Sequence, residues 1–157
     1  MRLTADEVAL LRQPRVLELL AEYDGEPPDR VALRLGKRRD LPPARLLADQ
    51  VRARSKLFHK VPAWRGLDLL AHPRAVEQCS SQATARHRCR LLPPAAVICD
   101  PCCGLGVDAC LAASDGRRVL AGDRDPAVTA LLAHNAQVLD LPLQASPADA
   151  AETIAAA

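Results

Sequence analysis

Along the first ninety residues, apolar positions recur at helical spacing. After residue 93 they change to short unbroken runs that alternate with helical stretches. Thr4 followed by Glu7 reads as a capping box, with Thr at the N-cap and Glu at N3, opening a helix through ADEVALLRQ. Pro14 breaks or restarts that helix, and PRVLELLAEY continues as a second helical piece. The cluster DGEPP (24–28) is a turn, and Asp29 is placed to cap a short helix, RVALRLGKRR. DLPP (40–43) punctuates the chain again before a helix from about Ala44 to Lys60. At 100° per residue, Arg45, Arg52, Lys56 and Lys60 share one face of it, and Leu47, Val51 and Phe58 lie opposite. Asp49 lies within the basic face and can pair with Arg45 or Arg52. VPAWRGLDLLAHP reads as a loop with one short strand. EQCSSQATARHRCRLLPP reads as a turn plus a helix capped by Ser80 or Ser81 and stopped by Pro93 and Pro94.

The second part has the order β-α-β-α-β. AAVICD is an apolar run of strand length, as expected for a strand buried on both faces. GVDACLAAS predicts a short helix, and RRVLAGD a second strand ending in Asp123. DPAVTALLAHNAQVLD predicts a helix with Val128, Leu131, Leu132, Asn135 and Val138 on one side, Asn135 as a satisfied polar group in a buried face. LPLQAS supplies a third, short strand. Alternation of this kind implies a parallel sheet with right-handed crossovers. The expected fold class is therefore α/β: a helical subdomain over residues 1–92, then an incomplete Rossmann-like sheet of three strands over 93–157.

Charge sharpens the division. Residues 1–90 carry 18 Lys/Arg against 11 Asp/Glu, a net of +7, and residues 91–157 carry 3 against 8, a net of −5. Such asymmetry fits either a basic arm that meets a polyanion or a solvated helical surface. The helix at 44–60 has the same two readings: an amphipathic helix docked by one stripe, or a face contacting the phosphates of RNA. The sequence contains no apolar run of the roughly 18 residues a membrane span requires. Its start is too charged for a secretory signal, so a cytoplasmic protein with reduced thiols is expected.

The stretch VICDPCCGLGVDA (97–109) concentrates the candidate chemistry. Gly104 to Ala109 fits G-x-G-x-x-G/A between a strand and a helix, and Asp123 follows Gly104 by 19 residues at the end of the next strand. That is the spacing of a nucleoside-binding fold in which the acid bonds ribose hydroxyls. A dinucleotide would set its pyrophosphate at the helix N-terminus, where Asp100 and Asp108 would repel it. S-adenosylmethionine carries no phosphate and two cationic groups, so the acids favour it over NAD. Cys99 and Cys102 form a C-x-x-C next to Cys103, but Cys79, Cys89 and Cys110 supply no second pair, so neither a metal site nor a redox pair is favoured.

DPCCGLGVDA and VLAGDRDPAVTALLAHNAQVLDL resemble motifs I and II of class I S-adenosylmethionine-dependent methyltransferases, in the form used by RNA-modifying members such as the trimethylguanosine synthase group and bacterial guanine-N2 methyltransferases. LTADEVALLR, RARSKLFHKVPAW and EQCSSQATARHR resemble the N-terminal region of bacterial class I methyltransferases that carry a THUMP-like domain. The resemblance implies that Asp100 faces the methionine end of the cofactor, and that Gly104 and Gly106 line the loop beneath it. It implies that Cys102 and Cys103 form the turn wall, Asp108 braces the loop, Asp123 holds the ribose and Arg124 flanks the adenine. Asp149, in SPADA, would meet the adenine amino group. Ser80 and Ser81, after Glu77 and Gln78, lie where related enzymes close over the cofactor; a helix cap is the other reading of the serine pair.

The resemblance also sets an expectation of incompleteness. Members of that superfamily have a fourth strand, pairing with the first, that ends in the motif holding the substrate nucleophile, and nothing after Asp149 matches it. One flank of the first strand is then expected to be an open edge, and methyl transfer by these 157 residues alone is not expected. No general base is visible. An NAD-dependent oxidoreductase, and a non-enzymatic RNA-binding or interaction module with a vestigial nucleotide fold, are the alternatives.

Overall fold

A computed structural model of the chain describes residues 3–36, 38, 40–94 and 97–157. The N-terminal layer is four helices: α1 (Ala5–Leu11), α2 (Pro14–Glu22), α3 (Pro28–Leu35) and α4 (Ala44–Lys60). The capping box on α1 forms, with Thr4 accepting from the Glu7 amide and Glu7 accepting from the Thr4 amide. α2 and α3 each begin on a proline, where the missing N–H costs nothing. Asp29 therefore does not cap α3: Pro27 holds the N-cap and Asp29 sits inside the first turn. That helix ends at Leu35; Lys37 and Arg39, which the sequence placed in it, lie outside the described residues.

After α4 come a single 3-10 turn (Pro62–Trp64), the four-residue α5 (Ala75–Gln78) and α6 (Gln82–Arg90). Ser81 caps α6 by accepting from the Thr84 amide. The α/β part is β1 (Ile98–Asp100), α7 (Val107–Ser114), β2 (Val119–Asp123), α8 (Pro126–Val138), β3 (Leu143–Pro147) and α9 (Ala150–Ala155). The strands are parallel in the order β1-β2-β3, with Asp100 beside Ala121 and Asp123 beside Pro147. β1 is an edge strand, so Ile98, Cys99 and Asp100 are only half-buried, not covered on both faces as the apolar run suggested. Ala95 and Ala96, the start of that run, lie outside the described residues.

Val119 and Ala121 of β2 pack into a core with α7 and with Val128 and Leu132 of α8. Gly122 points the other way, toward α9, where an added Cβ would come 2.0 Å from Thr153 Oγ1. α8 serves two cores. Val128 and Leu132 face the sheet side, whereas Ala127 and Leu131 join the cluster of α1 to α4. Among the described residues, no helix is long and apolar enough to cross a membrane.

The segment 68–71, in the stretch expected to be a loop with one short strand, forms no strand among the described residues; Leu69, Leu70 and Ala71 are buried and Asp68 is exposed. Side chains satisfy its backbone instead. Asn135 on α8 accepts from the Leu70 amide and donates to the Leu70 carbonyl, both at 2.9 Å. Gln50 on α4 does the same for Ala71, donating at 2.8 Å and accepting at 3.2 Å. Arg54 donates to Leu69 O at 2.6 Å, and His134 Nε2 donates to Asp68 O at 2.8 Å. Burial holds His134 below the ordinary imidazole value, although the bond to the Asp68 carbonyl opposes it. The Arg54 side chain is fully buried, forks onto both oxygens of Asp24 and lies 5.2 Å over the Phe58 ring.

Asn135→Ala leaves a buried amide and a buried carbonyl without partners, each worth about 1–3 kcal/mol. Urea unfolding of that variant is expected to show a loss of at least about 2 kcal/mol, whereas Arg52→Ala on the exposed face of α4 stays within about 0.5 kcal/mol of the parent.

Candidate functional site

The carboxyl ends of β1 and β2 lie side by side, and the turn Pro101–Gly106 crosses above them into α7. This is where an open parallel sheet binds its ligands. Three backbone bonds fix the turn: Cys103 N donates to Gly122 O at 2.9 Å, Gly106 N to Cys103 O at 2.8 Å, and Cys110 N to Gly106 O at 2.8 Å. Gly106 is the N-cap of α7 at φ +77°. A Cβ there would stand 2.3 Å from Leu132 Cδ1, so this glycine is required by both backbone and packing. Gly104, at φ +51°, has nothing within 4 Å of its missing side chain. The backbone at Gly104 is thus left bare for close approach.

Asp123 is tied into the turn. Its carboxylate accepts from Gly104 N at 3.2 Å through Oδ2 and from Asp125 N at 2.9 Å through Oδ1. Asp125 in turn caps α8 through Ala127 N. Asp100, at the tip of β1, has its carboxyl pushed up, mainly by burial and further by the charges of Asp108 and Asp123, while the Cys102 amide pulls it down. An acid in that setting gains from a cationic neighbour.

Two cavities flank the turn and share exposed Cys102 as their divide. One, about 600 Å3, is lined by Asp100, Gly104 and Asp108 from the strand end, turn and α7, and by Gln78, Ser80 and Arg88 from α5, α6 and the link between them. The second, about 350 Å3, is formed by Pro101, Cys102, Asp123, Arg124 and Ala150. Asp100 borders the first cavity and Asp123 the second.

Of the residues expected here, Asp100, Cys102, Cys103, Gly104, Asp108, Asp123 and Arg124 line these cavities, and Gly106 lies beneath the turn. Ser80 lines the first cavity, while Ser81 is the α6 cap. Asp149 lines neither. It caps α9, accepting from Glu152 N while Glu152 accepts from its amide, so its local role is that of a helix cap.

The basic stripe of α4 is not a uniform free face. Lys56 pairs with Glu77 of α5, and Lys60 Nζ donates to the carbonyls of Glu77 and Cys79 at 2.8 Å each. These bonds hold the segment that carries Gln78 and Ser80 against the cavity. Arg45 and Arg52 are exposed, and among the described residues Asp49 forms no ion pair with either.

Cys99 and Cys102 do not act as a pair: the Cys99 thiol faces Thr153 O, and Cys102 opens to solvent. Burial pushes the Cys103 thiol far up and that of Cys110 up to about 12, so both are held as thiols. Among the described residues, no group of three or more His, Cys, Asp or Glu side chains could hold a metal ion.

Sequence reasoning missed Arg88. Its Nη1 donates to Ser80 Oγ at 2.7 Å and to Asp108 Oδ1 at 2.8 Å, joining α6 to α7 across the cavity mouth. The partners lie 8 and 20 residues away, and no local pattern announces them. It also missed His72, whose Nδ1 accepts from Arg74 N and Ala75 N, so that Nε2 carries the hydrogen, buried and without a partner among the described residues.

Neither protein-family models nor curated protein sequences match this chain. A solved structure does: a crystal structure from Porphyromonas gingivalis W83 named "putative methyltransferase" is similar over 99% of this chain, with a TM-score of 0.74 and 22% sequence identity. At that identity the likeness is one of fold. The chain spans 39% of that structure's length. The shared architecture is a three-stranded parallel, Rossmann-like α/β unit preceded by helices.

Gly106→Ala combines a left-handed alanine, at about 1–2 kcal/mol, with an overpacked Leu132, at about 1–3 kcal/mol. Gly104→Ala incurs only the first. Chemical unfolding is expected to rank Gly106→Ala well below Gly104→Ala, and equal losses would contradict the packing role given to Gly106.

Proposed function

We propose that the chain binds S-adenosylmethionine and forms the cofactor-binding part of a methyltransferase acting on RNA. The observation that carries the reading is the ring of carboxylates around the Gly104 turn. Asp100 and Asp108 border one cavity and Asp123 the other. A pyrophosphate at the start of α7 would meet Asp108 and Asp100. A ligand with an ammonium and a sulfonium meets them favourably. The bare side of Gly104 lets such a ligand lie against the backbone, so the donor set and the space fit this group.

The chain's residues divide the work of holding it. Asp100 takes the cationic amino-acid end. Asp123, already ordered by Gly104 N and Asp125 N, offers its remaining lone pairs to ribose hydroxyls. Pro101, Arg124 and Ala150 wall the space for the base. When bound, the cofactor supplies an electrophilic methyl group, and the protein's share of catalysis is alignment. RNA as the acceptor rests on the +7 charge of residues 1–90, with Arg45 and Arg52 exposed on α4 and Arg86 and Arg90 exposed on α6.

A thermal melt with S-adenosylhomocysteine or NAD tests the ligand. The first is expected to raise the midpoint and the second to leave it unchanged; the reverse order would favour the oxidoreductase reading.

Asp100→Asn gives a second, opposite-signed pair of effects. The folded-state pKa of Asp100 is raised, so its ionisation opposes folding as pH climbs from the ordinary 3.8 through the raised value. Removing that charge is expected to raise the midpoint of the free protein at pH 7. It is also expected to weaken S-adenosylhomocysteine binding about tenfold or more, through loss of a charge-assisted bond. Affinity in the parent protein should fall on acidification through the raised pKa, and in Asp100→Asn it should not.

A further inference from the structure

The first cavity holds more than acids. Among the described residues lining it, Arg88 is the one cation, in the same cavity as Asp100. Both of its side-chain bonds leave from Nη1, toward Ser80 Oγ and Asp108 Oδ1. Nη2 and Nε make no further bond among the described residues, so a planar edge of the guanidinium is open for a two-pronged acceptor. The ion pair with Asp108 is exposed, 59% for the arginine side chain and 36% for the aspartate. An exposed pair of this kind adds little to stability. Its effect is to hold the guanidinium in place at the rim. A carboxylate and a partly open guanidinium lining one cavity make a site for a zwitterion.

We propose that Arg88 receives the α-carboxylate of an amino-acid-bearing nucleoside in this cavity, while Asp100 receives its α-ammonium. The inference rests on the cofactor reading above and adds a residue to it. Ser80 and Asp108 position the guanidinium. Lys60, by binding the Glu77 and Cys79 carbonyls, holds Ser80 where it can do so. The cavity therefore selects for the whole amino-acid end of the ligand, and a nucleoside that ends in a simple thioether loses both contacts.

Titration calorimetry on the 157-residue chain tests this with two probes, S-adenosylhomocysteine and 5′-methylthioadenosine. They share the adenosine and the thioether, and only the first has the amino acid. The parent protein is expected to prefer S-adenosylhomocysteine. Arg88→Ala should weaken that probe about tenfold or more, as for loss of a hydrogen-bonded charge, and leave 5′-methylthioadenosine within about twofold. Arg88→Lys should fall between, because it keeps the charge and loses the fork. A parallel loss of both probes would show that Arg88 acts only by shaping the turn, and unchanged S-adenosylhomocysteine binding would remove it from the site. Both results overturn the proposal and leave the cofactor reading standing. A parent protein that binds neither probe overturns the cofactor reading itself, and this inference with it.

Discussion

The buried segment Leu69–Ala71 is the constraint on which the rest of the molecule depends. It is bonded by side chains of α4 and α8, among the described residues no strand pairs with it, and an unpaired backbone group in that position would cost as much as a lost hydrogen bond. Gln50 and Asn135 resolve this by copying a strand. Each presents an amide group, donor and acceptor together, to a single residue of the segment. One amide comes from the helical layer and the other from the α/β layer. The same two residues that satisfy the backbone thereby fix the layers against each other. Arg54 extends the arrangement to Asp24, in the turn between α2 and α3.

From that seam the site follows by short steps. α8 is held on one side by its contacts with the helical layer, and on the other it presents Leu132 beneath Gly106. That packing sets the height of the turn above the strand ends. The Cys103 bond to Gly122 O sets its lateral position, and Asp123 closes it from the neighbouring strand. The second wall of the large cavity comes from α5 and α6, and it is placed by polar bonds: Lys60 on α5's terminal carbonyls, and Arg117 on the carbonyls of Cys89, Leu92 and Pro93. A rigid floor and a polar-tethered wall are thus built by different physics.

This division also explains what could be read from the sequence. The Gly104–Ala109 loop, Asp100 and Asp123 were legible because their chemistry is local: a turn that only glycine tolerates, followed by an acid at strand spacing. Ala44–Lys60 was legible because its apolar stripe is long. The segment 68–71 was not, since its partners are side chains 15 to 66 residues distant and Leu69–Ala71 show only a short apolar run. Arg88 was hidden for the same reason. Lys56 and Lys60 were visible as cations, but a periodic charge stripe cannot tell a solvated lysine from one that meets a helix end. Asp149 was read through a short alanine-rich likeness, and its capping box with Glu152 was the stronger local signal.

The electrostatic state of Asp100 ties the fold to the proposed chemistry. Burial makes ionisation of this carboxyl unfavourable, and Asp108 and Asp123 add to that. Selection for stability alone would place an asparagine or an apolar residue at the tip of an edge strand. The acid is understandable when the missing term is a cation from outside, because each factor that raises its pKa in the free protein also strengthens its attraction for such a ligand. Arg88 is too far committed to Asp108 to serve as that partner. It balances one acid and leaves the other unneutralised. A ligand that brings an ammonium for Asp100 and a carboxylate for the open edge of Arg88 completes both halves of this imbalance at once. A phosphate would meet only the Arg88 half and would be repelled by Asp100.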